Sequence, residues 1–118
     1  MVRAAFGYFL PIMTSFPLTG AQRTRLRGLG QTSTDNLLIG RDGAADSVIA
    51  QLNRELTHRE LVKVRFTGGQ DRKERAALHD ALASSTQSEC VGAVGHTALF
   101  FRRNPDPAQQ KIALDQAR

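Results

Sequence analysis

A chain of 118 residues has room for one hydrophobic core and not for two independent domains. Apolar residues make up 41% and charged residues 23%, which sets aside the compositions that stay disordered. Sixteen Lys and Arg against eleven Asp and Glu leave a net charge of +5, and thirteen of the sixteen are Arg, so polyanions are attracted and bidentate phosphate contacts are favoured. A genome rich in Arg codons produces the same bias.

Residues 4–13 (AAFGYFLPIM) are apolar and follow Arg3, in the manner of a secretory signal, but Pro11 interrupts them and no clear cleavage pattern follows. The run is too short to span a bilayer as a helix. Residues 1–17 are expected as a disordered N-terminal extension, of which residues 1–12 are either part of that extension or an artefact of start-codon choice with Met13 as the working start. The domain is then expected over residues 18–103, and a polar surface tail over 104–118.

Thr19 reads as the N-cap of a helix of about three turns, with Leu26 and Leu29 inward and Arg23 and Arg27 one turn apart. After the polar stretch Thr32 to Asp35, the short apolar run Asn36 to Ile39 fits a buried strand that ends at Gly40. Val48, Ile49, Leu52 and Leu56 then recur at helical spacing from Ala45 onward. Residues 61–66 alternate, with Val62, Val64 and Phe66 on one face and Leu61, Lys63 and Arg65 on a basic outer face. A third helix is predicted over Asp71 to Ala83, with Ala77, Leu78, Ala81 and Leu82 as its apolar stripe. Glu89 to Val94 and Thr97 to Arg102 read as two strands joined at Gly95 and His96. This order predicts an α/β fold, a mixed sheet with helices packed on it.

Gly40-Arg41-Asp42-Gly43 lies between a strand and a helix, where glycines permit positive φ and let a phosphate approach the backbone. The following helix N-terminus adds unpaired N–H groups. By spacing alone the pair is more often the mark of a structural turn, and Gly92 to Gly95, with the same spelling at the predicted hairpin, is assigned no binding role. Arg23, Arg25 and Arg27, with Lys63, Arg65, Arg102 and Arg103, are the candidates for a phosphate-binding surface around the loop. Each of these taken singly also suits a solvated face. Phe100 and Phe101 point to opposite faces of their strand and are both expected in the core.

No nucleophile elbow, P-loop or HExxH motif is present, so no catalytic residues are assigned and no enzyme is expected. Cys90 is the lone cysteine, which rules out an internal disulfide and suits a buried thiol in a reducing, cytoplasmic compartment. With His58, His79 and His96 as its only further soft ligands, no metal and no cofactor is expected.

Taken together, LTGAQRTRLRGLG, LLIGRDG, VIAQLNREL, HRELVKVRF, VGAVGHTALFFRR and KIAL resemble, in order and spacing, the CRM domain of chloroplast RNA splicing and ribosome maturation proteins. The likeness runs from Leu18 to Leu114 and extends to the free-standing bacterial YhbY-like members. It implies a two-layer α-β-α-β-α-β-β domain with a mixed four-stranded sheet, similar to the C-terminal domain of translation initiation factor three. It implies RNA binding through Gly40, Arg41, Asp42 and Gly43 as a backbone clamp, with Arg23 and Arg27 as basic positions of the first helix. The implied partner is precursor large-subunit rRNA. The alternative expectation is a protein-interaction module docking on ribosomal proteins or a partner enzyme, and in either case a monomer with no membrane partner is expected. Two residues depart from the family pattern: Asp42 puts a carboxylate in the loop, and Ala45 stands where a capping Ser or Thr is usual.

Overall fold

The computed structural model describes residues 18–114; the expected N-terminal extension, with its alternative start at Met13, and the last four residues of the expected tail lie outside the described residues. Thr19 opens α1 (Gly20–Gln31) as predicted, through a reciprocal box: its Oγ1 accepts the Gln22 N–H at 3.1 Å and its own N–H donates to Gln22 Oε1 at 2.9 Å. There follow β1 (Leu37–Ile39), α2 (Asp46–Arg59), β2 (Leu61–Phe66), α3 (Arg72–Thr86), β3 (Glu89–Val94) and β4 (Thr97–Phe101). Every predicted element is present; β2 and β3 have the predicted bounds, and no end is shifted by more than three residues.

The four strands form one mixed sheet in the order β1-β2-β4-β3, with β1 parallel to β2 and the remaining neighbours antiparallel. Strand alternation sends Leu37, Ile39, Val62, Val64, Phe66, Ala98 and Phe100 to one face, where Leu52 and Leu56 of α2 and Leu82 of α3 meet them. The other face carries Val91 and Phe101, covered by Leu26 of α1 and by Leu114. Helices therefore lie on both faces and the layering is fuller than two. That is why the adjacent Phe100 and Phe101 are both buried, at 0% and 4% exposure.

The outer face of β2 is consequently not open along its length. Gly30 fits against Leu99, and Lys63 Nζ donates to the carbonyls of Gly30 and Ser33 at 3.2 and 3.3 Å, so the C-terminal end of α1 sits over the middle of the strand. One helical stripe is rotated from its expected position. Ala77 and Ala81 of α3 are exposed, and Leu78, His79, Leu82, Ala83 and Thr86 face the core at i, i+4 and i+7 spacings. Asp71 caps α3, with Glu74 completing a second reciprocal box.

Residues 104–114, expected as part of a surface tail, instead fold back on the domain. Leu114 is 2% exposed in the α1-side core, and the segment is tied down by Glu60, whose side chain is wholly buried. Glu60 Oε2 accepts the Asn104 N–H at 2.6 Å, and Oε1 accepts the N–H groups of Lys111 and Ile112 at 2.6 and 3.2 Å.

Candidate nucleic-acid interface

Because β1 and β2 run parallel and β4 opposes β2, one end of the sheet collects the β1–α2 loop, the β2–α3 loop and the β3–β4 turn. Gly40, Arg41 and Asp42 are exposed at this end. The Gly43 N–H donates to the Gly40 carbonyl at 3.1 Å, closing a tight turn that leaves Arg41 and Asp42 N–H outside any hydrogen bond among the described residues. Gly43 has φ +60°, a conformation that favours glycine, and a Cβ there would lie 2.9 Å from Leu78 Cδ2 and push that side chain aside. Gly40 differs: its φ is not positive and a Cβ would meet nothing within 4 Å. No internal contact accounts for a glycine at that position.

The β2–α3 loop braces this turn. A Cβ on Gly68 would come within 2.5 Å of Arg41 N and the Gly40 carbonyl carbon, so the two backbones are in direct contact. Gln70 Nε2 donates to the Gly40 carbonyl at 2.8 Å, and Thr67 N–H donates to the Ile39 carbonyl at 2.8 Å. In the sequence Gly68 and Gly69 mark the turn before the third helix, and nothing there points to Gln70 or to a bracing role. A Gly-Gly pair before a helix reads only as a turn, and its pairing with a loop 28 residues earlier arises from the parallel register of β1 and β2.

The predicted basic residues are spread over three places, and most are engaged within the protein. Arg23 pairs with Glu89. Arg25 Nε donates to the Ala113 carbonyl at 3.0 Å, and Arg27 Nη1 to the Val91 carbonyl at 3.2 Å, so these two bind the tail and β3. Arg65 Nε meets Asp35 Oδ2 at 2.7 Å. Arg102 is the most committed: Nη1 donates to Asn53 Oδ1 and the Thr86 carbonyl at 2.7 and 2.8 Å, and Nη2 to the Asn53 carbonyl and Thr57 Oγ1 at 3.0 Å each. Burial lowers its pKa, and with these four bonds the guanidinium joins α2 to α3. Arg103 donates to the Ile112 carbonyl and Gln110 Oε1. Arg41 alone of the predicted cations is exposed with no side-chain partner among the described residues.

Residues 18–102 match the family model of the CRS1 / YhbY (CRM) domain. The chain belongs to the CRS1/YhbY (CRM) domain family. It is similar to Probable RNA-binding protein PA4753 of Pseudomonas aeruginosa, 33% identical over 90 residues that cover 76% of this chain and 86% of the relative. An RNA-binding protein of Haemophilus influenzae is 28% identical over 85 residues, covering 72% and 85%. The solution structure of hypothetical protein SAV1595 from Staphylococcus aureus matches with a TM-score of 0.69 at 27% identity, over 82% of this chain and all of the other.

In this CRM domain the loop is braced by the β2–α3 loop and carries one carboxylate, Asp42, which is exposed beside Arg41. Ala45 makes no side-chain cap to α2, as its sequence position predicts. No His, Cys, Asp and Glu cluster suited to a metal ion occurs among the described residues, and none of their helices is long and apolar enough to cross a membrane. Cys90 is half-buried, and desolvation raises its thiol pKa above the usual value, so the group stays protonated and weakly nucleophilic at neutral pH.

Proposed function

We propose that the protein binds structured RNA through the loop Gly40–Gly43, and that its RNA is precursor large-subunit rRNA, bound during ribosome assembly in the cytoplasm. Binding without chemistry is the reading the residues support. Gly40 carries most weight: the position needs neither positive φ nor internal space, and a bare Cα there lets a phosphate reach the free N–H groups of Arg41 and Asp42. The RNA-binding names of the Pseudomonas and Haemophilus relatives support the same reading.

A second reading, docking on a ribosomal protein, draws on Leu38 and Val94, which are 61% and 80% exposed. They end a cross-strand row formed by Leu38, Arg65, Thr97 and Val94 at the edge of α1's cover. One experiment separates the two. Crosslinking in cells followed by sequencing of the attached RNA should recover precursor large-subunit rRNA, and association with large-subunit particles should disappear on complete nuclease digestion. Association that survives digestion favours the protein partner.

A further inference from the structure

We propose that the first turn of α3 is the second wall of the RNA clamp, with Arg72 and Lys73 holding backbone phosphates of the same RNA that the glycine loop approaches. The inference rests on the RNA-binding reading of that loop and relocates the charge that serves it.

Three observations carry it. First, the two loops are one body. Gly68 lies against the Gly40–Arg41 backbone, Gln70 donates to the Gly40 carbonyl, and Leu78 of α3 packs against Gly43. Arg72 follows Gln70 by two residues, so its Cα lies within about 7.6 Å of the Gln70 Cα, at the same end of the sheet as Arg41.

Second, the charges there are available. Arg72 and Lys73 are exposed and, like Arg41, take no part in a side-chain hydrogen bond or ion pair among the described residues. The cations of α1 and of the sheet are used internally: Arg23 on Glu89, Arg27 on β3, Lys63 on the end of α1, Arg65 on Asp35 and Arg102 between two helices. A phosphate that takes one of these must first break a native contact; one that meets Arg41, Arg72 or Lys73 breaks none.

Third, the acidic neighbours, although exposed, are tied to the backbone of the helix start. Asp71 Oδ1 accepts the Glu74 N–H and Glu74 Oε1 accepts the Asp71 N–H, each at 2.8 Å, so both carboxylates are held on the backbone of the helix start. Arg75 beside them donates to the Gln70 carbonyl at 2.7 Å and fixes the loop. The α3 turn is thus braced from both sides, and its two free cations project from a fixed base.

The test is a salt series of dissociation constants for a transcript of precursor large-subunit rRNA. It compares the native chain with Arg41→Ala, the double variant Arg72→Ala/Lys73→Ala, the double variant Arg23→Ala/Arg65→Ala, and Arg54→Ala/Lys111→Ala. The last pair removes the same charge from an exposed face of α2 and from the C-terminal segment. Circular dichroism checks that each variant is folded. The expected result is a loss of roughly tenfold at about 0.1 M salt for the α3 pair, with the slope of log affinity against log salt reduced by about 1.4 to 1.8, as two lost phosphate contacts require. The control pair should change the slope far less. An α3 pair that binds like the control pair, while Arg41→Ala binds weakly, overturns this inference and leaves the loop reading standing. A greater loss from the Arg23/Arg65 pair than from the α3 pair also overturns it. If neither Arg41→Ala nor the α3 pair changes affinity, the loop reading falls as well.

Discussion

Glu60 holds together a part of the molecule that lies beyond the end of the family match at residue 102. Its φ of +64° is unusual for a residue with a Cβ and costs of order 1 to 3 kcal/mol. That conformation turns the carboxylate inward to accept three backbone N–H groups from residues 104, 111 and 112, while its own carbonyl accepts the Arg102 N–H at 2.9 Å. Replacing Glu60 by Ala strands those donors, so Glu60→Ala should lower the free energy of unfolding by roughly 3 kcal/mol in urea titrations. His79 gives a second prediction at this scale. Its ring lies 5.4 Å from Phe66 and 6.4 Å from Phe100, and burial lowers its pKa below 6.5, with Arg75 adding to the effect and Asp80 opposing it. The unfolded chain then takes up the proton more readily than the folded one, so stability present above pH 6.5 is lost as the pH falls through that value. Denaturation midpoints measured from pH 8 to pH 5.5 should decline, and His79→Gln should flatten that decline.

At the scale of elements, the three helices start in two ways. Thr19 and Asp71 close reciprocal boxes, whereas Ala45 gives α2 no side-chain cap. Ala45→Ser should therefore raise stability by about 1 kcal/mol, seen as a higher melting temperature. Elements governed by local pattern were legible in the sequence: the Thr19 cap, the alternation of β2, the Leu52/Leu56 stripe and the Gly95–His96 turn all appear where residue spacing puts them. The α3 stripe was misplaced because Ala counts as apolar yet tolerates solvent. Ala77 and Ala81 drew the reading one step around the helix, while Thr86, whose hydroxyl bonds back to the Leu82 carbonyl at 2.8 Å, is buried.

The whole molecule explains why the glycine loop was easier to read than the charges around it. A strand, two glycines and a helix are neighbours in sequence. The partners of Arg23, Arg27, Arg65 and Arg102 lie 66, 64, 30 and up to 49 residues away and become visible only once both faces of the sheet are covered. Phe100 and Phe101 already required cover on both faces, and Glu60 offered no pattern at all because its three donors are backbone groups of a distant segment. A body built in this way engages the arginines of α1 and of the sheet internally and leaves the glycine loop, braced by Gly68 and Gln70, as the place we propose for a phosphate to meet bare backbone. Gly40→Ala tests that claim most directly, since the added methyl meets nothing within 4 Å and φ is not positive, so the fold should be kept. Its affinity for precursor large-subunit rRNA, measured beside the melting temperature, should fall about tenfold with melting unchanged, a loss of about 1.4 kcal/mol in binding. Native affinity in a folded Gly40→Ala protein would contradict the account.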